Sequence, residues 1–506
     1  MKPSLNTYRA VHRSAVGFVA LGLLTATARA DAPDAGTGGA PSGVEPPPIT
    51  VLRSEPGLAR GLIFVAPIST SSLAIPGGSA DAGAPPSTGQ VGPEIVDDQG
   101  RAVWFSPITN GQSAADFRVQ RYHGEPVLTW SQSKGFGSLA QGLTTDYILD
   151  RKYKIVATVT AGNGLDADSH EFKITREGTA LITIYNAVTR DLSSLGGSTS
   201  GLVIDGVVQE IDIASGKVLF EWHSLDHVPL EESHQPLPAS ATTPYDYFHI
   251  NAVSPDEDGN LLISSRHTWT VYKLDRHSGA VIWRLGGKNS DFSLGPGVAF
   301  AYQHNPIAVD RDTIRIFDNE SNGTPVLPES RVIWVRRDDE TKTATLVRSF
   351  EHPDHLSAGS QGGSQALSNG DTFVGWGAVP RISEFDREGN LVFDASLPAG
   401  YDTYRAYRFE WVGEPETNPT ATGQVAGATT SVHAIWNGAT EVARWEVLEG
   451  NRDDKDADDG HAVASAPWNG LDTTIVVHEP LHFVRVVAKD RFGREIGRSA
   501  VTPVTQ

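Results

Sequence analysis

The 506-residue chain contains no Cys and a single Met, at position 1. Without thiols it can form no disulfide, thiolate metal site or Fe–S cluster, and it has no Cys nucleophile. A lipid anchor on an N-terminal Cys is excluded by the same absence. Positive charge is also scarce: 41 Lys and Arg stand against 61 Asp and Glu, a formal charge of −20. Such a chain is a poor general partner for nucleic acid or an anionic membrane. An anionic substrate therefore needs a local basic pocket to offset that field. What is abundant is turn chemistry, with 51 Gly and 31 Pro. The length suggests about three domains at roughly 150 residues each, enough chain to bury a large core. The balance points to an ordered all-β protein.

The ends carry little chemistry. Lys2, Arg9 and Arg13 precede the apolar run Ala15–Ala26, and Ala28-Arg29-Ala30 forms an A-x-A site before Asp31. The run is shorter than the roughly 20 residues that span a bilayer. Residues 1–30 thus read as a secretory signal peptide. The protein is expected to be exported, to a periplasmic or extracellular location, without stable membrane insertion after cleavage. Arg9 and Arg13 are not adjacent, unlike a twin-arginine signal. Cleavage would leave a chain without sulfur, which suits an oxidising compartment. Residues 31–49 read as a flexible tether, and 77–90 as a disordered loop between two strands. The run Asp453–Gly460 resembles a calcium loop, but Gly is missing from the sixth position counted from Asp454. Ser465 also stands where the bidentate Glu belongs, so a solvated turn is the better reading.

A repeat organises the middle of the chain. A strand, an acidic turn and a second strand occur at 94–105, 147–159, 209–222, 271–285, 333–347 and 382–393. The turn Asp falls at 98, 150, 212, 275, 338 and 386. That spacing, about 50–60 residues, indicates propeller blades. Between these hairpins lies a second element: a polar-headed strand, a Gly-containing turn and an apolar strand. It is clearest at 170–185, 249–265, 304–317 and 364–376, and weaker at 117–130. Each blade then has four strands, with this element innermost. The first blade has GLIFVAP (61–67) but lacks an innermost strand, which Tyr404–Trp411 is expected to supply from the far end of the unit. Such closure hides sheet edges. The expected fold is a six-bladed β-propeller over 50–411 and a linker at 412–422. A small immunoglobulin- or fibronectin-like β-sandwich follows over 423–506.

Innermost propeller strands line the axis. His170, His249 and His304 each head such a strand. One buried His is usually structural; three at one strand position point to a site. Arg266 follows the strand Leu261–Ile263 toward the same mouth, where a guanidinium can recognise an oxyanion. The competing reading pairs it with Asp256 or Glu257. Asn251 lies two residues after His249, so it should share that strand face. Tyr247, Phe248, Trp269, Phe300 and Tyr302 flank these residues and are candidates for an aryl slot, with blade packing as the alternative for each.

The segments DSHEFKITREGTALIT, YDYFHINAVSPDEDGNLLISSRHTWTVYKLDRHSGAVIWRLGG, YQHN and YRAYRFEW resemble the arylsulfotransferase family. The pattern is closest to the branch also found in fungi and actinobacteria. The resemblance implies a six-bladed propeller that moves a sulfuryl group from a phenolic sulfate ester to a phenolic acceptor. It implies no cofactor, 3′-phosphoadenosine-5′-phosphosulfate included, and no metal. By resemblance, His304 in Gln303-His304-Asn305 is the nucleophile that carries the sulfuryl group. His249 and Asn251 support it, Arg266 binds sulfate, and His170 is a further channel imidazole. His249 or His170 would serve as acid and base. Asn251 and Arg266 would hold the sulfuryl oxygens, with Tyr247, Phe248, Trp269 and Tyr302 around the ring. Two departures stand out. The disulfide some bacterial members depend on is impossible here, and the extra domain is C-terminal rather than N-terminal. The oligomeric state is therefore not transferable.

Two other readings compete. Three converging His can bind a divalent metal as a lyase or hydrolase. Only Glu171, beside His170, stands out as a neighbouring carboxylate, and Arg266 would repel a cation. The second is a non-catalytic binding propeller on a surface or matrix.

Overall fold

The computed structural model describes residues 44–70, 89–109, 111–134, 144–240, 242–450 and 461–506. The expected signal peptide, most of the tether and of the 77–90 loop, and the acidic run 453–460 lie outside the described residues. Among those described, secondary structure is strand apart from three single-turn 3₁₀ helices. Among the described residues no helix is long and apolar enough to cross a membrane.

Among the described residues, six sheets of four or five strands are built from 50–409, together with a two-stranded one that pairs Pro67–Ser69 with Tyr401–Thr403. Sheets two to six each run as consecutive antiparallel strands. Their lead strands are Ser113–Tyr122, Ala167–Ile174, Ile250–Pro255, His304–Ala308 and Gly363–Ala366. Sheet one is ordered Tyr407–Phe409, Leu62–Val65, Glu94–Val96, Ala102–Phe105, so its lead strand comes from the far end of the segment, as expected. Two sheets gain an outer strand that periodicity did not reveal. Thr50–Ser54 pairs with Leu391–Ser396, and Ser293–Leu294 lies parallel to Thr343–Glu351.

The outer hairpins follow from their turn acids. Asp150, Asp212, Asp275, Asp338 and Asp386 each accept backbone N–H groups from the turn that follows, as from Ser278 at 2.7 Å and Asn390 at 2.8 Å. These Asx contacts replace the hydrogen bonds a tight reversal leaves open. In the first hairpin the residue doing this is Asp97, not Asp98. Asp98 pairs with Arg408 instead.

Apolar side chains on both faces of the sheets form six clusters, each between two neighbouring sheets. Phe64 and Trp104 meet Phe117 and Trp130 between sheets one and two. Ile148 meets Phe172 and Ile182, Val208 meets Val253 and Ile263, and Leu262 meets Ile314 and Ile316. Phe317 meets Trp376, and Phe373 meets Ile63 and Val65, which returns to sheet one. The lead strands are likewise neighbours in a closed circuit, the strand at 407–409 touching both the sixth and the second. Double-sided burial explains why strands such as Leu261–Ser265 read as unbroken runs.

Beyond Trp411, two further sheets face each other across Val432, Trp445, Val447, Ile475, Val484 and Val486. Their first strand, Thr420–Ala426, begins inside the stretch expected to be linker. This module docks on sheets one and two. Asn437 exchanges two hydrogen bonds with the backbone of Phe105, at 3.0 and 2.9 Å. Tyr153 donates its hydroxyl to the Gly438 carbonyl at 2.8 Å. Gly438 has φ +89°, and a Cβ there would lie 2.4 Å from the Tyr153 ring, so the contact requires glycine.

Candidate active site

The lead strands of sheets two to five do not start in regular register. Each has a bulge: Ala115/Arg118, Ala167/Phe172, Ile250/Ala252 and His304/Ile307. Asp116, His249 and Asn305 sit at these starts with φ of +56°, +52° and +51°. Such left-handed backbone is uncommon outside glycine and tends to be kept at functional sites. A bulge re-aims side chains and breaks two-residue alternation.

The bulges bring the three predicted imidazoles together. The ring centroids of His170 and His249 are 5.3 Å apart, and Tyr404 lies 5.6 Å from His170 and 6.4 Å from His304. His267, which the sequence reading overlooked, stands 4.5 Å from His249. Tyr185 stacks on His170 at 5.3 Å and meets His249 edge-on.

Hydrogen bonding sets the tautomers. His304 Nδ1 lies 2.7 Å from Asn319 Oδ1 and 3.1 Å from the Tyr302 carbonyl. Asn319 spends its amide donors on the carbonyls of Ala358 and Gln361, so its oxygen faces His304. Both neighbours of Nδ1 are acceptors, so Nδ1 carries the proton and Nε2 the lone pair. Among the described residues, Nε2 accepts from the Gln361 N–H at 3.2 Å. Burial holds the His304 pKa well below its usual value, and Arg266 adds to this, while Asn319 opposes it. His304 is therefore neutral at pH 7, with its nucleophilic nitrogen defined.

His249 and His170 are each backed by a carboxylate on Nδ1. Asp246 lies 2.5 Å from His249, and Asp168 pairs closely with His170. The view that no acid sits beside His249 is thus corrected, since a partner three residues upstream was missed. Burial, then Arg266 and His170, keeps the His249 pKa well below the usual imidazole value. Glu171 turns away to Arg118 and Arg405, at 2.6 and 3.0 Å.

Arg266 makes no ion pair among the described residues. Asp256 pairs with Lys273 at 2.6 Å, which removes the competing assignment. Arg266 donates to His267 Nε2 and to the Gly359 carbonyl, both at 2.8 Å, and lies 4.9 Å over the Tyr302 ring. Its Nε is buried without a partner. An uncompensated guanidinium beside neutral imidazoles is a receptor for an oxyanion.

The aryl-slot residues divide. Tyr302 and Trp269 meet at 5.3 Å beside Arg266, and Trp269 stacks on His234 at 3.7 Å. Tyr247, Phe248 and Phe300 are packing residues instead. Tyr247 bonds the Val228 carbonyl within the core that also holds Phe248, and Phe300 belongs to the cluster between sheets four and five. Asn251 also differs from expectation. The bulge beside it breaks the shared face with His249, and its Nδ2 donates to the Gln303 carbonyl at 2.8 Å. That bond ties two lead strands together and uses one of the two amide protons, while Oδ1 is buried without a partner.

A metal set other than the three predicted His converges here: Asp246, His249 and His267. Its chemistry does not fit a cation. His267 lies 2.5 Å from the Asp246 carbonyl through Nδ1, and its Nε2 accepts from Arg266. Both ring nitrogens are committed, one of them to a positive charge.

The fold and site thus define an all-β protein of repeated small sheets with a buried imidazole cluster facing a guanidinium that has no ion-pair partner among the described residues. The chain belongs to the arylsulfotransferase (ASST) family, whose model matches residues 118–397. No curated protein matches it significantly. Among solved structures, a Bacteroides caccae protein of unknown function is similar at 12% identity and TM-score 0.40, covering 69% of this chain and 98% of its own. A Pseudomonas aeruginosa periplasmic gluconolactonase is similar at 12% identity and TM-score 0.33, covering 83% and 99%. A Staphylococcus aureus virginiamycin B lyase gives 10% and 0.27, covering 64% and 81%. Likenesses this remote say nothing about activity.

Proposed function

We propose that the chain is an exported arylsulfotransferase that works through a sulfohistidine at His304. The six sheets are read as the blades of a propeller, supported by the closed circuit of lead strands. The C-terminal pair of sheets is read as an immunoglobulin- or fibronectin-like sandwich. The observation that carries the function is the His304 Nε2 lone pair, fixed by Asn319 next to an uncompensated Arg266.

In the first half-reaction the Nε2 lone pair attacks sulfur of the aryl sulfate. The S–O(aryl) bond breaks, its electrons leave with the aryloxide, and the ring becomes a sulfo-imidazolium. Asn319 Oδ1 stabilises that charge through Nδ1–H, and Arg266 steadies the non-bridging oxygens. The aryloxide departs and is protonated by solvent. In the second half, Nε2 of His170 or His249 removes the acceptor phenol's proton, its Asp partner stabilises the resulting imidazolium, and that proton then passes to solvent, which restores the neutral ring and balances the one given to the aryloxide. The acceptor oxygen attacks sulfur, the S–N bond breaks, and His304 regains its lone pair. Trp269 and Tyr302 flank the aryl groups.

The test is turnover of 4-nitrophenyl sulfate with phenol, with and without chelator. Phenol-dependent nitrophenol release should follow ping-pong kinetics, survive chelation and vanish in His304→Ala. A sulfuryl adduct on His304 should accumulate when phenol is withheld. Loss on chelation would restore the metal reading, and a folded protein inactive on several donors would favour a binding role.

A further inference from the structure

A cavity opens along the lead strands of sheets one, two, three, five and six, away from the imidazole rings. It has a volume of about 480 Å³ and is bordered by Arg118, Arg121, Lys173 and Arg315 among polar and apolar neighbours. No Asp or Glu lines it, and none of the imidazole-cluster residues does. In a chain of charge −20 such a lining is unusual.

Two of the four cations are accounted for elsewhere. Arg118 shares Asp116 and Glu171 with the buried Arg405, two cations against two anions. Arg121 sits at the rim and donates to the Gly124 carbonyl. Lys173 and Arg315 have no carboxylate within ion-pair distance among the described residues. Arg315 is buried and gives Nε and Nη2 to Ser364, at 2.9 and 3.0 Å. Burial pushes Lys173 down to about 8; Glu171 opposes this, while Arg118 and Arg405 add to it. Burial likewise brings Arg315 to about 10. Arg315 is buried and Lys173 half-buried, and two cations so placed without an ion-pair partner are costly unless something anionic meets them. The remaining wall sets apolar Val119, Ile307, Val309 and Phe409 among polar Gln120, Asn305 and Gln365, and the volume suits a small ligand.

We propose that this cavity binds a small organic oxyanion, its charged group held between Lys173 and Arg315 and its apolar body against Phe409 and Ile307. The site shares no residue with the sulfuryl-transfer reading and does not depend on it. Benzoate and benzenesulfonate, neither of which can donate a sulfuryl group, are the probes, with inorganic sulfate as the purely ionic comparison. Binding is followed by calorimetry on the full chain at constant ionic strength. Benzoate or benzenesulfonate should bind more tightly than sulfate, and Lys173→Met should weaken that binding by about tenfold or more, the worth of a charge-assisted contact. Arg266→Met, in the imidazole cluster, should leave it intact. Without ligand, Lys173→Met should melt no lower than the parent protein, since it removes an unpaired charge. The proposal is overturned if neither organic anion binds, if sulfate binds as tightly, or if binding survives Lys173→Met but disappears in Arg266→Met.

Discussion

Asn319 is the sharpest place to test the tautomer argument. Its side chain is fully buried and makes three hydrogen bonds: Oδ1 to His304 Nδ1 at 2.7 Å, and Nδ2 to the carbonyls of Ala358 and Gln361 at 3.0 and 2.9 Å. Asn319→Ala leaves those two carbonyls short of a donor. At about 1–3 kcal/mol per orphaned buried group, less where a second lone pair is used, the fold should lose about 2–4 kcal/mol. The imidazole itself is not stranded, because the Tyr302 carbonyl remains at 3.1 Å. Catalysis should suffer for a different reason. The Nδ1–H bond becomes charge-assisted only as the ring turns into sulfo-imidazolium, so its loss falls on the transition state. A bond to a charged group is worth about 1.5–3 kcal/mol, which is about 10–100-fold in kcat. KM for the aryl sulfate should hardly move. Asn319→Asp makes a complementary case. A carboxylate beside Nδ1 favours the imidazolium, so the His304 pKa rises. The active form is the neutral ring, so the acid limb of the rate profile should move to higher pH, and activity should be lost as pH falls through the new value. In the parent protein the pKa lies well below 6.5, and the rate should stay flat through neutrality. Steady-state kinetics across pH, with melting curves to confirm folding, decide the matter. A folded Asn319→Ala whose kcat stays within twofold of the parent would refute the role given to His304 Nδ1.

Arg266→Met should lower kcat by about 10²–10³, as for loss of one preorganised donor to developing charge, and also raise KM. Because Arg266 depresses the His304 pKa, the acid limb should again shift upward; an unmoved limb would place Arg266 away from the nucleophile. Asn437→Ala removes two hydrogen bonds between the C-terminal module and Phe105. It should cost about 1–3 kcal/mol in denaturant unfolding without changing turnover. A loss of activity at full stability would instead give that module a part in the site.

The repeats made the sheet order legible, because outer hairpins depend on an Asp that closes its own turn and inner strands on apolar runs buried on both faces. The returning strand at 407–409 was readable for the same reason: sheet one lacked a lead strand. The three imidazoles were readable from their shared place at strand heads. Their carboxylate partners were not. Asp168 lies inside the bulge of its strand and Asp246 shortly before that of the next, where alternation no longer tells which face a residue takes. The same bulge made Asn251 look like a neighbour of His249. Tyr404 opens the segment expected to return to sheet one, and nothing in its local sequence shows that it lands between His170 and His304. Tyr247 and Phe248 misled in the opposite sense, since adjacency to His249 in sequence became core packing once the backbone turned at φ +52°.

The cluster of Arg118, Arg405, Asp116 and Glu171 ties this geometry to the chain's closure. Asp116 and Arg118 belong to sheet two and Glu171 to sheet three, while Arg405 stands two residues before the returning strand of sheet one. Arg405 also reaches the Asn251 carbonyl on sheet four at 3.3 Å, and Tyr407 donates to Asp116 at 2.6 Å. The four charges cancel, and all are buried. Buried ion pairs seldom raise stability over an apolar substitute, but removing one partner costs about 3–5 kcal/mol. Their value lies in discrimination: a shifted returning strand would strand a charge, whereas a shifted apolar strand would lose only contact. Glu171 directly follows His170, and Arg405 directly follows Tyr404. The ion pairs that fix where the strand returns therefore also fix two of the rings around the nucleophile, so closing the chain and assembling the site are one event.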